Sequence, residues 1–209
     1  MPVVTLYGAT YSVYVRAVRM ALAEKGVSHD LVEVDVFAAG GPPDDHLVRH
    51  PFGKIPVLEH DGFQIYETAA ITRYVDEAFP GPSLQPADVR DRARMTQIIG
   101  VMDSHFYSEI VWGLYVARSD ARRAHRPFKE AEIRRQGGRA ETCLRALDAL
   151  AGRDVWLAGE ALSLADIHAA PMFALFLQTP EGEELLPGHS RLRSWWAAIS
   201  ARASFAATA

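Results

Sequence analysis

Cysteine is nearly missing from this chain. Cys143 is the only one in 209 residues, so no intramolecular disulfide can form, and a reducing cytoplasmic setting is expected. Lysine is also scarce: it stands only at positions 25, 54 and 129, and arginine supplies the rest of the 22 basic residues. Against 26 acidic residues the net charge is −4, which gives no reason to expect nucleic acid or an anionic membrane as a partner. No apolar run reaches the roughly 18 residues of a membrane span. The N-terminus begins a strand pattern directly, without the charged and apolar segments of a signal peptide, so no leader is expected. Repeats and low-complexity segments are lacking too, and the histidines are read as carrying no metal site.

What is present is an ordinary globular composition, 49% hydrophobic and 23% charged, long enough for one domain or two small ones. Val3 to Tyr7 is β-branched, closed by Gly8, and reads as a buried strand. Val15, Val18 and Leu22 then share a helical face that Gly26 ends. His29 to Val36 reads as a second strand, and Asp44 to Arg49 as one helical turn after a glycine and proline loop. Val57 to His60 and Phe63 to Tyr66 flank Asp61-Gly62, the dipeptide suited to a type I′ hairpin turn. Thr68 to Phe79 is helical again. The order β-α-β-α-β-β-α requires one parallel and one antiparallel pairing, a small mixed sheet of thioredoxin-like type.

Phe79 to Pro86 is rich in proline and marks a boundary. Beyond it only helical spacing recurs: Arg90 to Val116 with Met95, Ile98, Ile99, Met102, Phe106 and Ile110, then about Glu130 to Leu150, Ser163 to Leu177 and Arg191 to Arg202. The expected division is residues 1–80 as the thioredoxin-like α/β domain, 81–88 as linker and 89–209 as an all-α domain. Ser163 and Asp166, three apart and flanked by Leu162 and Ile167, are read as a capping box with a hydrophobic staple.

The segment His50-Pro51-Phe52-Gly53-Lys54-Ile55-Pro56-Val57-Leu58 carries the chemistry. Proline within a sheet is confined to edges, bulges or the first position of a strand. If Ile55-Pro56 is cis, the Ile55 N–H and C=O turn outward, able to pair with an extended peptide as an added strand would. Glu67-Thr68 follows at a helix start, where free N–H groups receive an anion.

From Tyr7-Gly8 through Phe52-Gly53-Lys54-Ile55-Pro56 and Glu67-Thr68 to the Ser163–Asp166 box, the chain resembles the soluble glutathione S-transferases over almost its whole length. The resemblance implies a glutathione site in the first domain, an adjacent apolar site for a second substrate, and a homodimer. Glutathione offers an α-amino and α-carboxylate group, central peptide groups and a thiol. Thr68 is the candidate receptor of the carboxylate, Glu67 of the ammonium group, Ile55 and Pro56 the backbone clamp, and Lys54 the partner of the glycyl carboxylate. Phi-like relatives often use a histidine–lysine pair for that last contact where this chain has Gly40-Gly41-Pro42-Pro43, so the contact is expected to be either absent or replaced by Lys54 or His50.

A thiolate needs a hydrogen-bond donor, and the loop Ala9 to Tyr14 supplies hydroxyls. Ser12 is the first candidate, by its likeness to the serine of phi-like and theta-like members; Tyr7 and Tyr11 are the alternatives. No cysteine stands in this loop, so thiol transfer through an enzyme cysteine is not expected. Tyr11, Val13, Phe37, His105, Phe106, Trp112 and Tyr115 are candidate walls of the second-substrate site. Asp103 is a candidate to approach the γ-glutamyl ammonium group held by a partner subunit. The implied activity is conjugation of glutathione to a hydrophobic electrophile. The alternatives are isomerisation or dehalogenation at the same site, or a module that binds glutathione without turnover.

Overall fold

Along Val4–Gly8 (β1) buried residues alternate with half-exposed ones, which puts Val4 and Leu6 on one face and Thr5 and Tyr7 on the other. The structure, a computed structural model, describes residues 3–152 and 154–209. It divides into two compact units. One ends at Gln85 and takes in Ala203–Ala209, and the other is Pro86–Arg202.

In the first unit β1 is followed by α1 (Val13–Glu24), β2 (Asp30–Glu33), α2 (Asp44–Arg49), β3 (Val57–His60), β4 (Phe63–Tyr66) and α3 (Thr68–Ala78). The sheet order is β2-β1-β3-β4, with β1 parallel to β2 and antiparallel to β3, and β3 antiparallel to β4. This is the expected thioredoxin-like arrangement. Asp61 at φ 49° and Gly62 at φ 84° make the primed turn that the hairpin needs. The second strand is shorter than its hydrophobic run suggested, ending at Glu33 where pairing with Gly8 stops.

Leu6, Leu58, Val15, Val18, Leu22, Ile71 and Val75 are fully buried and form the core between the sheet, α1 and α3. Each such side chain contributes about 1.5–3 kcal/mol on burial. At Gly8 an added Cβ would lie 2.4 Å from Val15 Cγ2, so the start of α1 packs onto the end of β1 only because that residue is glycine. Behind α3, Lys25 Nζ donates to Asp76 Oδ1 at 3.1 Å and to the Pro82 carbonyl at 3.0 Å. Asp76 also accepts the Leu84 N–H, which fixes the chain leaving the unit.

The C-terminal helix Ala203–Ala207 packs on α1: Arg16 donates to the Phe205 carbonyl, Arg19 to the Thr208 carbonyl and Ser204 to Glu24. Five residues are too few to show helical periodicity in a sequence, so this return was not anticipated.

The second unit contains α4 (Val89–Val101), a π-helix (Met102–Val116), α5 (Ala117–Arg123), α6 (Glu130–Leu150), α7 (Leu164–Phe176), α8 (Pro180–Leu185) and α9 (Ser190–Ser200). The single helix expected over 90–116 therefore changes pitch at Met102, and the Ala117 N–H reaches the Trp112 carbonyl five residues back. Phe106 stacks on Phe173 at 5.4 Å, and Trp195 meets Phe173 edge-on at 4.9 Å. Met95, Ile98, Ile99, Met102, Phe106 and Ile110 are all buried in this core. Asp166, wholly buried, accepts the Leu157 N–H and Trp195 Nε1–H at Oδ1 and the Ser163 N–H and hydroxyl at Oδ2. Among the described residues no helix is long and apolar enough to cross a membrane.

Candidate active site

Cross-strand register gathers the candidate residues at one sheet edge. Tyr7, Val57 and Tyr66 stand side by side on β1, β3 and β4. One residue further on lie Gly8, the last residue of β1, Pro56, just before β3, and Glu67, just after β4. Because β2 runs parallel to β1, with Glu33 opposite Gly8, the segment Asp35 to Phe37 leaves from the same edge.

Ser12 caps α1. Its backbone is extended (φ −79°, ψ 124°), and its Oγ accepts the Val15 N–H at 3.3 Å. A hydroxyl that accepts one bond still has a hydrogen to give, and among the described residues no acceptor takes it. No acidic residue occupies the first turn of α1, so the positive end of the helix dipole is not offset there. Capping and donation are thus compatible at Ser12.

The two tyrosines are placed differently. Tyr7 Oη donates to Glu59 Oε2 at 3.4 Å. Glu59 pairs with Thr5, so the phenol leans back along the strand, away from the edge, beneath the Arg49 guanidinium 4.4 Å above its ring. Tyr11 Oη donates to Asp35 Oδ1 at 2.9 Å, while its ring lies 5.8 Å from that of Phe37. Burial, with the hydrogen bond to the Asp35 carboxylate second, pushes the Tyr11 phenol up to about 12.

The Ile55–Pro56 bond is cis, and Pro56 is buried at the start of β3. Lys54 is exposed, whereas its carbonyl meets His46 Nε2 at 2.8 Å. His50 accepts the Phe52 N–H at Nδ1 and lies with its ring 4.5 Å from Tyr66. Burial lowers its pKa, and the nearby Glu67 charge opposes that shift. His46 was missed in the sequence, because nothing local distinguishes a histidine on a short polar helix that ends up buried. His46 and His50 do stand at the H-x-x-x-H spacing, but their rings are 6.4 Å apart and each has a nitrogen engaged with backbone. Among the described residues no group of three or more potential ligands is placed to hold a metal ion.

Glu67, an exposed residue at φ 72°, caps α3 through its backbone while its side chain caps nothing. Non-glycine residues in this region are uncommon and concentrate at functional sites. Thr68 is the first helical residue, 6% exposed, and the first turn of α3 carries no acid. Its N–H groups are therefore not neutralised by the chain itself.

The proposed walls of the second site are not all alike. Tyr11 and Phe37 form an exposed aromatic pair, 50% and 65% accessible. Val13, by contrast, is buried in the core of the first unit, and Phe106 in that of the second. His105 and Trp112 are exposed, and the Trp112 ring stands perpendicular to that of Tyr107. Seven residues make about two α turns, which would stack His105 on Trp112; the wider π turn moves them onto different faces. Tyr115 lines a cavity of about 300 Å³ together with Arg118, Ser119, Arg122 and Phe128, and none of the other candidates joins it there. Asp103 accepts from His168 Nε2 at 2.7 Å.

Comparison with known proteins gives a consistent picture. Residues 6–83 match the family described as glutathione S-transferase, N-terminal domain, and residues 130–198 match glutathione S-transferase, C-terminal domain. The chain is 31% identical over 206 residues to glutathione S-transferase F10 of Arabidopsis thaliana, covering 97% of this chain and 94% of that protein. A solved glutathione S-transferase III in apo form superimposes with a TM-score of 0.82 at 30% identity, covering 99% and 95% of the two chains. A glutathione S-transferase from Rhodospirillum rubrum does so with a TM-score of 0.81 at 30% identity, covering 98% and 91%.

Proposed function

Because the chain belongs to the glutathione S-transferases, we propose that it binds glutathione at the shared edge of β1, β3 and β4, ionises its thiol through Ser12 and conjugates it to a hydrophobic electrophile. The observation that supports this reading most is the pairing of Tyr7 with Val57 and of Val57 with Tyr66, since Ser12, Ile55 and Thr68, the proposed thiolate donor, backbone clamp and anion receptor, each lie within five residues of that row in the sequence. In this arrangement the α-carboxylate sits on the N–H groups opening α3 with Thr68, the ammonium group faces Glu67, the central peptide pairs with Ile55 beside Pro56, and Lys54 takes the glycyl carboxylate.

A model thiol with a pKa of about 8.5 is only a few per cent ionised at neutral pH. Lowering it by about two units requires about 2.7 kcal/mol of preference for the thiolate. The Ser12 hydroxyl and the unneutralised start of α1 both favour the anion. Tyr11 and Phe37 offer the apolar surface on which an electrophile approaches the sulfur.

A homodimer and a cytoplasmic location complete the reading. The homodimer's support within this chain is the exposure of apolar side chains in the first unit, Phe52 at 69% and Val48 at 86%. The functional test is turnover of glutathione with a panel of halogenated aromatics, epoxides, isothiocyanates and peroxides, run beside light scattering. Thioether formation by a particle of about twice the 23.1 kDa chain mass is expected; loss of halide or rearrangement without a conjugate would replace transfer by dehalogenation or isomerisation.

A further inference from the structure

We propose that His46 is a positioning residue for the glutathione clamp, holding the Lys54–Ile55 peptide so that the Ile55 N–H faces the ligand. The proposal rests on the functional reading above. His46 is 1% exposed, and its Nε2 lies 2.8 Å from the Lys54 carbonyl oxygen. A carbonyl only accepts, so Nε2 carries the hydrogen and donates it. The Lys54–Ile55 bond is trans, Ile55–Pro56 being the cis bond among the described residues. In a planar trans peptide the C=O and the N–H point in opposite directions. Drawing the carbonyl toward a buried ring therefore turns the Ile55 N–H away from that ring, to the side an extended ligand must use.

Two further observations make this bond the one that sets the peptide's orientation. Among the described residues, no other side chain bonds the backbone of residues 54–56, and the remaining ring nitrogen of His46, Nδ1, is buried without a partner. Among the described residues, the Lys54 carbonyl is thus the one hydrogen-bond partner that orients the imidazole. The turn that leads into Lys54 is built on the same stretch: the His50 N–H donates to the His46 carbonyl at 2.8 Å and the Gly53 N–H to the His50 carbonyl at 2.9 Å. Gly53 sits at φ 60°, where an added Cβ would be strained and would crowd Pro42 Cγ at 3.0 Å and Leu47 Cδ2 at 3.2 Å. His46 therefore reaches Lys54 both through space and through the turn, and the clamp's geometry follows from its position.

The test uses the full chain with His46→Leu, which keeps bulk and removes the donor, and His46→Gln, whose amide donates at the reach of Nε2. With glutathione and a chlorodinitrobenzene, His46→Leu is expected to raise KM for glutathione about tenfold while kcat and KM for the electrophile stay within about twofold, and His46→Gln to return KM to within about threefold of wild type. In amide NMR spectra, S-methylglutathione should move the Ile55 amide proton downfield in the wild type and in His46→Gln, and less in His46→Leu. Glutathione binding by the wild type without movement of the Ile55 amide overturns the positioning role and leaves the functional reading standing. So does a His46→Leu variant that loses kcat with KM unchanged. Should His46→Leu not fold, His46→Gln decides alone, and a glutathione KM raised as much as about tenfold counts against the role. Failure of the wild type to bind glutathione at all overturns the functional reading, and the proposal with it.

Discussion

Tyr11 gives its hydroxyl hydrogen to Asp35 Oδ1 at 2.9 Å, which commits one of the hydroxyls that compete with Ser12. The same carboxylate oxygen accepts the Phe37 N–H, so the bond also holds the Tyr11 and Phe37 rings beside each other. A phenol pushed up to about 12 is a weaker acid and a poorer donor to a thiolate. Tyr7 is committed as well, to Glu59 across the sheet. These two commitments support the proposal that the small Ser12 hydroxyl at the helix start is the donor to sulfur.

At the other end of the ligand, Glu67→Ala and Thr68→Ala should each weaken retention on immobilised glutathione. Loss of a charge-assisted hydrogen bond costs about 1.5–3 kcal/mol. Calorimetry should register the weakening in both variants, and an unchanged affinity in both removes these residues from the site.

Asp166 should matter for folding rather than chemistry. Replacing it by alanine leaves four buried donors, from Leu157, Trp195 and Ser163, without an acceptor. The expected loss of stability is about 3–5 kcal/mol, read from urea unfolding. A loss below about 1 kcal/mol contradicts the network's importance.

Acid should destabilise the protein partly through His50. Burial lowers its pKa below the ordinary value of 6.5, so in the window beneath 6.5 the unfolded chain binds a proton that the folded chain does not. Stability from this group is complete above the unfolded pKa and is lost as pH falls toward the folded one. His29 is shifted the same way by burial. His50→Gln should therefore flatten, without abolishing, the fall in unfolding free energy below neutral pH. An identical slope in the variant counts against this account.

Cys143 should be inert in the folded protein. It is buried on α6, and burial, with the Glu109 charge second, pushes its thiol up to about 11. An aromatic disulfide reagent at mildly alkaline pH should find no thiol in the native protein and one per chain in denaturant. Rapid native reaction would contradict the burial.

Features that depend on near neighbours were legible in the sequence. Asp61-Gly62 announced its hairpin, and Ser163 with Asp166 announced a helix start, because each acts over a few residues. The π-helix was not legible, since Met102, Phe106 and Ile110 stand four apart and that spacing fits a tight turn and a wide one alike. His46 and Tyr7 were obscure for a different reason. Whether a histidine is buried, or which way a tyrosine leans on its strand, depends on the chain that comes to lie across it. Val13 and Phe106 were expected at a binding surface, yet an apolar residue at helical spacing serves a core equally well, and both do.

The most direct test of the central claim is ultraviolet titration of the glutathione thiolate bound to the wild type, Ser12→Ala, Tyr7→Phe and Tyr11→Phe. Ser12→Ala should keep glutathione affinity nearly intact and raise the bound thiol's pKa, because the lost hydrogen bond favours the ionised form. Turnover in that variant should fall at neutral pH and partly recover as pH rises, while both tyrosine variants titrate like the wild type. A Ser12→Ala enzyme with the wild-type thiol pKa, beside a Tyr7→Phe enzyme in which it is raised, would contradict the account.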